Sequence, residues 1–143
     1  KYTYEELTKI LEDHKLWLND NKTGKRANLE NANLYKANLR YAILSNAILN
    51  NANLVGANLY GAILEYAYMR GADLYDANLR AANLRGAYLV DTNLSGANLS
   101  GAILCRSNLE IASLKGANLY KANLSDANLS GVDLRDAIFW ENG

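Results

Sequence analysis

The sequence has no proline, one cysteine (Cys105) and one histidine (His14) in its 143 residues. A single cysteine excludes a disulfide within the chain, and no pair of cysteines or histidines stands at metal-ligand spacing. Acidic and basic residues balance at 15 each, so no long-range field would attract nucleic acid or an anionic membrane. We therefore expect no metal, no other cofactor and no membrane partner, and nucleic acid is disfavoured as a ligand.

Long hydrophobic runs are missing as well. No stretch approaches the roughly 20 apolar residues that span a bilayer. The first residues also lack the basic-then-apolar pattern of a signal peptide. We expect a cytoplasmic location on these grounds, although the sequence begins at Lys1 and an upstream segment that has been removed stays an open alternative.

Alanine, asparagine and leucine are abundant, and they are arranged in a repeat. From Ala27 to Glu141 the sequence reads as 23 consecutive pentapeptides without an insertion. The central residue is Leu in 21 of them, and the residue two positions earlier is Ala in 20. The residue between these two, called the middle residue below, is Asn in 13 repeats. Self-similarity of this kind predicts a repeat architecture.

A period of five fits neither a continuous helix nor a straight strand. In an α-helix, successive central leucines would be rotated by about 140° and would surround the helix. In a straight strand they would alternate between the two faces, because the side-chain period of a strand is two. The chain must therefore turn once per repeat, with Ala and Leu inward, the middle residue outward and two further outward residues at a corner. Such coils stack at about 4.8 Å through backbone hydrogen bonds.

The number of repeats in one coil stays open at this point. Apolar middle residues recur at a lag of 20 in three pairs, 43 with 63, 48 with 68 and 68 with 88, whereas a lag of 15 gives two pairs. A lag of 15 also separates six glycines, namely Gly56, Gly71, Gly86, Gly101, Gly116 and Gly131. The lag of 20 favours four repeats per coil. The lag of 15 either indicates three repeats per coil or reflects the length of a duplicated unit.

The unbroken Ala-(Asn/Asp)-Leu-x-x register, which covers about 80% of the chain, resembles the pentapeptide-repeat proteins. These proteins are especially numerous in cyanobacteria and other bacteria, and many have no assigned biochemical role. The resemblance implies an all-β fold for residues 27–141, a right-handed quadrilateral β-helix with four repeats per coil and about six coils.

Residues 1–26 lie outside the repeat and are predicted to form a cap. The segment that begins Thr3-Tyr4-Glu5-Glu6 has a capping-box pattern, which predicts the start of an amphipathic α-helix that ends near residue 20. Its apolar face would contain Leu7, Ile10, Leu11, His14, Trp17 and Leu18. We expect this face to cover the open first coil, with Gly24 in the turn that leads into the repeats.

Catalysis requires titratable side chains that converge on one site, and none converge here. His14 is interpreted as a packed residue of the cap rather than a general base. Cys105 follows Leu104 at an outward position and is interpreted as a solvated thiol rather than a nucleophile. We therefore predict no catalytic residue and no enzymatic activity.

The outer surface holds eight of the ten tyrosines, and tyrosine is favoured at recognition surfaces. With four repeats per coil, one column and its neighbouring corner and face would bring together six apolar residues: Ile43, Ile48, Ile63, Tyr66, Tyr68 and Tyr88. This group is the candidate interaction surface. The alternative is that these neighbours pack on one another to stabilise the fold, as cross-strand pairs do.

The end of the sequence suggests a second contact. The sequence stops at Gly143, shortly after Phe139 and Trp140, and no second cap follows the last repeat. An uncovered coil would leave backbone groups unpaired. Either two chains meet end to end through Phe139 and Trp140 as a homodimer, or a C-terminal part is missing.

The preferred function is a non-enzymatic scaffold whose variable outer residues bind a protein partner that the sequence does not identify. The resemblance implies one alternative, a DNA-mimicking regulator of a topoisomerase such as DNA gyrase. Mimicry of DNA needs a strongly acidic face, and residues 27–141 hold 9 basic and 10 acidic residues, so the charge disfavours it. The same neutrality disfavours direct nucleic-acid binding through arginines and neighbouring tyrosines.

Overall fold

The structure, a computed structural model, describes residues 1–140. It begins with one α-helix, α1 (Tyr4–Asn19), and continues as a solenoid of stacked pentapeptides. Within residues 1–140 the solenoid has no continuous strand, because each repeat contributes a single extended residue that pairs in parallel with the residue 20 positions further on. The described helix is too short and too polar to cross a membrane.

The paired middle residues form four columns along the solenoid, and each column is one face. We name the faces by their first residues: the Asn28 face reaches Asn128, the Asn33 face Asp133, the Asn38 face Ile138 and the Ile43 face Asn123. One coil therefore contains four pentapeptides, as the resemblance implies. The 15-residue spacing of the glycines is not a coil, since it places successive glycines at successive corners.

Backbone hydrogen bonds explain why one residue per repeat is enough to hold the coils together. The N–H of Leu29 donates to the carbonyl of Ile48 in the next coil at 2.7 Å, and the N–H of Ile48 donates back to Ala27 at 3.0 Å. Between faces the chain turns tightly, as where the N–H of Ala32 donates to the carbonyl of Leu29 at 3.1 Å. This pattern recurs along the solenoid and pairs the backbone of each interior coil with both neighbouring coils.

The middle asparagines stabilise the corners. The Oδ1 of Asn33 accepts the N–H of Tyr35 at 3.1 Å, and the same bond recurs in most Asn and Asp repeats. The second corner residue has a positive φ, as at Lys36 (φ 53°) and Gly56 (φ 64°). An Asx-type hydrogen bond of this kind supports a turn locally. The asparagine column therefore has a structural role at each turn.

The core is a column of leucines with alanines between them. Central residues such as Leu64 and Leu74 are fully buried, and each contributes roughly 1.5–3 kcal/mol through burial. Thr92 and Ser107 replace inward alanines, and their hydroxyls donate to carbonyls three residues earlier at 2.8 and 2.7 Å. The core therefore contains polar side chains only where a local acceptor satisfies them.

Helix α1 lies across the open end of the first coil. Its capping box is confirmed, because Thr3 Oγ1 accepts the N–H of Glu6 and the Glu6 carboxylate accepts the N–H of Thr3. Leu7 and His14 are buried, and Ile10 and Leu11 are partly buried against the core. The sequence also placed Leu18 on this buried face, and that was wrong: Leu18 is 36% exposed, because it lies in the last turn of α1, beyond the part that covers the coil.

Gly24 allows the chain to pass from α1 into the first coil. Its φ is +70°, and a Cβ atom there would contact the Asp13 carbonyl and lie 2.7 Å from the Trp17 nitrogen. These neighbours belong to the helix backbone and cannot move aside. We expect Gly24→Ala to lower the free energy of unfolding by about 1–3 kcal/mol, measured by thermal unfolding with tryptophan fluorescence.

The matched control is Gly101→Ala. Gly101 has a similar φ of +66°, but no atom lies within 4 Å of its would-be Cβ. We expect a smaller loss there, since many non-glycine residues of this chain adopt the same φ at corners. Equal losses at both positions would show that backbone strain alone, and not packing on α1, determines the cost.

Candidate interaction surface

Tyrosines form the centre of the predicted surface. Ile48, Tyr68 and Tyr88 occupy three consecutive coils of the Asn28 face, paired directly with one another. The rings of Tyr68 and Tyr88 are stacked, with centroids 4.8 Å apart and planes 7° apart. Their separation is close to the coil spacing, so the stack follows from the register. Both side chains keep about 40% of their surface exposed (38% and 43%).

The other three predicted residues lie beside this column. Ile43 and Ile63 pair with each other on the adjacent Ile43 face. Tyr66 lies at the corner between the two faces, where its ring occupies space that a side chain at position 86 would need: the Tyr66 Cδ1 is 2.6 Å from a Cβ built on Gly86. Glycine at 86 therefore makes room for the ring. All six predicted residues thus lie on two adjacent faces and the corner that joins them.

One residue that contacts this surface, Arg26, was missed from the sequence. The guanidinium of Arg26 lies 5.1 Å from the centroid of the Tyr68 ring and 5.6 Å from that of Trp17. Its Nε donates to the carbonyl of Asn46 at 2.7 Å, which fixes it between the two rings. Arg26 precedes the first repeat by one residue, so extending the register backwards would have placed it at this corner. A cation–π contact therefore links the cap to the tyrosine column.

The apolar surface also extends onto α1, which the sequence did not indicate. A hollow of about 650 Å³ lies between the last turns of the helix and the Ile43 face, and Leu16, Leu18 and Ile43 provide its apolar lining. Leu16 is 51% exposed. Together with Ile63 these residues make an apolar area that is continuous from the cap to the solenoid.

His14 lies inside the cap rather than in an open site. Its Nδ1 accepts the N–H of Ala27 at 2.9 Å, and its Nε2 lies 2.9 Å from the carbonyl of Ser45. Since Nδ1 is the acceptor, Nε2 must carry the proton and donate. Burial lowers the pKa of His14 below its usual 6.5, and nearby Arg26 lowers it further, while the bond to Ser45 opposes both effects. The ring also stacks on Trp17, with centroids 5.5 Å apart.

Other candidate groups are dispersed. Cys105 is half-buried at its outward position. Within residues 1–140 no three side chains of His, Cys, Asp or Glu converge as a metal site would require. Asp133 and Arg135 form an exposed ion pair at 2.7 Å, and the hydrogen bonds from Arg135 lower the pKa of Asp133 to about 2.

The inward residues of the last coil are open to solvent. Phe139 is 45% exposed and Leu129 and Leu134 are each 37% exposed, and the neighbouring corner residue Trp140 is 61% exposed. Glu141, the last residue of the predicted repeat range, and Gly143 lie outside the described residues. An end-to-end contact through Phe139 and Trp140 stays a prediction.

Coils of four pentapeptides, an inward Ala and Leu core and a variable outer surface define a solenoid repeat protein. Residues 25–51, 44–74, 72–110 and 112–140 match the pentapeptide repeats, in eight copies. The chain belongs to the pentapeptide repeat family.

Three solved structures are similar to the chain. HetL, a pentapeptide repeat protein involved in heterocyst differentiation regulation from the cyanobacterium Nostoc sp. strain PCC 7120, is 38% identical over 81% of this chain, with a TM-score of 0.59. Rfr23 from the cyanobacterium Cyanothece 51142 is 32% identical over 91% of this chain and 99% of its own, with a TM-score of 0.64. A thylakoid lumen protein of Arabidopsis thaliana is 30% identical over 69% of each chain, with a TM-score of 0.66.

The chain spans 59% of the length of HetL. No curated protein sequence matches the chain.

Proposed function

We propose that the chain is a non-enzymatic scaffold that binds a protein partner through the candidate interaction surface. The observation that carries this proposal is the exposed stack of Tyr68 on Tyr88, flanked by Ile43, Ile63 and Tyr66. Stacking and the Arg26 contact hold the rings in place, so little side-chain entropy is lost when a partner covers them. Rigid tyrosines surrounded by aliphatic residues are typical of the centre of a protein interface.

We also infer that the solenoid is a right-handed quadrilateral β-helix. Four columns of parallel pairs support the four-sided shape, and parallel crossovers are right-handed in the great majority of proteins. In this proposal residues 1–26 form the cap, residues 27–141 form the solenoid, and the cytoplasm is the location.

The proposal is tested by Tyr68→Ser with Tyr88→Ser. Serine already occupies a middle position of another face at Ser113, so a coil accepts it, and the lost stack costs about 0.5–1.5 kcal/mol in addition to the lost burial. We expect a protein partner, captured from a lysate and identified by mass spectrometry, to bind the parent chain and not the variant. The affinity of the purified partner would then be measured by calorimetry.

The matched control is Tyr35→Ser with Tyr75→Ser. These tyrosines are as exposed as the stacked pair, at 41% and 46%, but they lie at a corner of the Asn33 face. The control should retain the partner. If the stacked-pair variant bound the same proteins as the parent chain and differed only in stability, the tyrosine stack would be a packing feature and the proposal would be wrong.

The alternative of DNA mimicry receives no support from the arrangement of charges. Each corner of the solenoid that carries a carboxylate also carries a cation, as where Glu30, Asp91 and Glu110 share a corner with Arg70. A polyanion mimic needs an acidic face without such interruptions.

A further inference from the structure

One corner of the solenoid differs from the other three in charge. It joins the Asn38 face to the Ile43 face, and we call it the Arg40 corner. Among residues 27–140, this corner and its two faces contain three cations, Arg40, Arg80 and Lys121, and no carboxylate. Glu12 and Lys15 of α1 lie near its cap end. Within residues 27–140, one side of the solenoid is therefore only positive, although the chain as a whole is neutral.

The three cations are exposed and evenly spaced. Arg40 and Arg80 are 40 residues apart, which is two coils. Arg80 and Lys121 are 41 residues apart, which is two coils and one residue. Each of these two separations corresponds to roughly 10 Å along the solenoid. In the part of the chain that the structure describes, the ion pairs involve other residues. Within the described residues, the positive charge of this corner is therefore not paired with a carboxylate.

The Asn38 face adds a row of hydrogen-bond donors beside these cations. Its asparagines at 38, 58, 78, 98 and 118 each accept a backbone N–H two residues on through Oδ1, at 3.0–3.2 Å. This bond occupies Oδ1 of each amide, so Nδ2 is the group left to donate elsewhere. Asn78 uses its Nδ2 in only a long bond of 3.4 Å to Asn58. The face thus presents amide donors at the coil spacing of about 4.8 Å.

A hollow lies where the donors and the cations meet. Between Tyr60 and Tyr120 the small side chain of Ser100 leaves a space of about 390 Å³, which is also lined by Arg80 and Lys121. The lining contains no carboxylate. A ligand in this hollow would meet two cations and several neutral donors.

We propose that this surface, the Asn38 face from Asn58 to Asn118 with Arg80 and Lys121, binds an extended acidic polysaccharide of the uronic-acid class. Carboxylates form the strongest hydrogen bonds with guanidinium and ammonium groups. Sugar hydroxyl and ring oxygens accept hydrogen bonds from amides, and a straight row of donors fits an unbranched chain. This binding is separate from the protein contact of the tyrosine stack.

The aromatic rings on this side favour a polysaccharide over a single-stranded nucleic acid. Nucleic acid binding of that kind depends on bases that stack on free aromatic faces. Here the guanidinium of Arg40 lies over Tyr41 and Tyr60, at 5.4 and 5.2 Å from the ring centroids. Lys121 lies over Tyr120 at 5.1 Å. The rings therefore hold cations in place and offer few open platforms for bases.

The first test measures calorimetric binding of polygalacturonate to the full chain at low salt. We expect binding, and we expect Arg80→Gln with Lys121→Gln to weaken it roughly tenfold or more, the change that corresponds to one charged hydrogen bond. Absence of binding by the parent chain would overturn the proposal.

The second test replaces the amide donors of the Asn38 face by acceptors and keeps the hydrogen bonds that stabilise the corners. Asn78→Asp with Asn98→Asp keeps the Oδ1 acceptor, as Asp73 does for the N–H of Tyr75 at 3.1 Å, but replaces the amide donor by an anionic oxygen. We expect this variant to lose binding. The control, Asn33→Asp with Asn53→Asp, makes the same charge change on the Asn33 face and should bind like the parent chain.

Two outcomes would contradict the proposal. If the control lost binding as fully as the Asn38-face variant, the polysaccharide would be responding to net charge and not to this surface. If single-stranded poly(U) bound more tightly than polygalacturonate and lost affinity in the same variants, the ligand would be a nucleic acid.

Discussion

Leu74→Ala is expected to lower the free energy of unfolding by about 2–5 kcal/mol. Leu74 is fully buried, and so are Leu54 and Leu94 directly below and above it in the same column. The coils cannot close around the missing atoms, because the N–H of Leu54 donates to Asp73 and that of Leu74 donates to Asn93, each at 2.7 Å. Those bonds hold the backbone spacing constant, so the substitution leaves a cavity.

The control for this substitution is Leu134→Ala in the last coil of the same column. Leu134 is 37% exposed, so its truncation removes less buried surface and creates no enclosed cavity. We expect a clearly smaller loss, measured by urea unfolding with far-ultraviolet circular dichroism. If the two variants lost equal stability, the leucine core would not be packed more tightly in the interior coils than in the last coil, and the prediction would be wrong.

Acidification is expected to weaken the attachment of α1 to the first coil. Protonation of His14 would place a hydrogen on Nδ1, which now accepts the N–H of Ala27 at 2.9 Å, so two donors would face each other. Leaving such a buried backbone group unpaired costs about 1–3 kcal/mol. Arg26, which lowers the pKa of His14, would add repulsion to the protonated ring.

The direction of the pH dependence follows from the lowered pKa of His14. The unfolded chain binds the proton near its ordinary pKa of 6.5, whereas the folded chain binds it only at a lower pH. The stabilisation is therefore fully present above about pH 6.5 and is lost as the pH falls through the folded-state pKa. Asp133 does not interfere, because its pKa of about 2 confines its own contribution to much more acidic solutions.

The fluorescence of Trp17, which stacks on His14, measures this transition. The control is His14→Gln, whose amide does not titrate and can donate to the Ser45 carbonyl in place of Nε2. We expect the variant to be less stable at neutral pH and to lose the stability change below pH 6.5 that the parent chain shows. An unchanged pH profile in His14→Gln would assign the titration to another group.

Much of this architecture could be predicted because a period of five is incompatible with a continuous α-helix and with a straight β-strand. The inward positions of Leu64 and Leu74 followed from that period alone. The coil length did not, since the apolar pairs and the glycines indicated different lags. The pairs in the structure, such as Tyr68 with Tyr88 and Ile43 with Ile63, all have the lag of 20 that the family resemblance implied.

The charges and the cap contacts were harder to predict for a physical reason. Arg40, Arg80 and Lys121 are separated by about 40 residues in sequence and share a side only once four repeats close a coil. Net charge, which sums over all sides, hides such a separation. The Arg26 contact with Tyr68 depends on where α1 lies, which no pattern within the repeat encodes.

The unbroken 20-residue register also determines which changes of length the molecule can accept. One additional pentapeptide between Tyr68 and Tyr88 would preserve every turn, but it would rotate all later residues by a quarter of the circumference. Tyr88 would then move to the Asn33 face, and its stack with Tyr68 would be lost. Four additional pentapeptides would leave every side of the rod intact and lengthen it by one coil, about 4.8 Å. The rod can therefore change length in whole coils while its surfaces keep their identity.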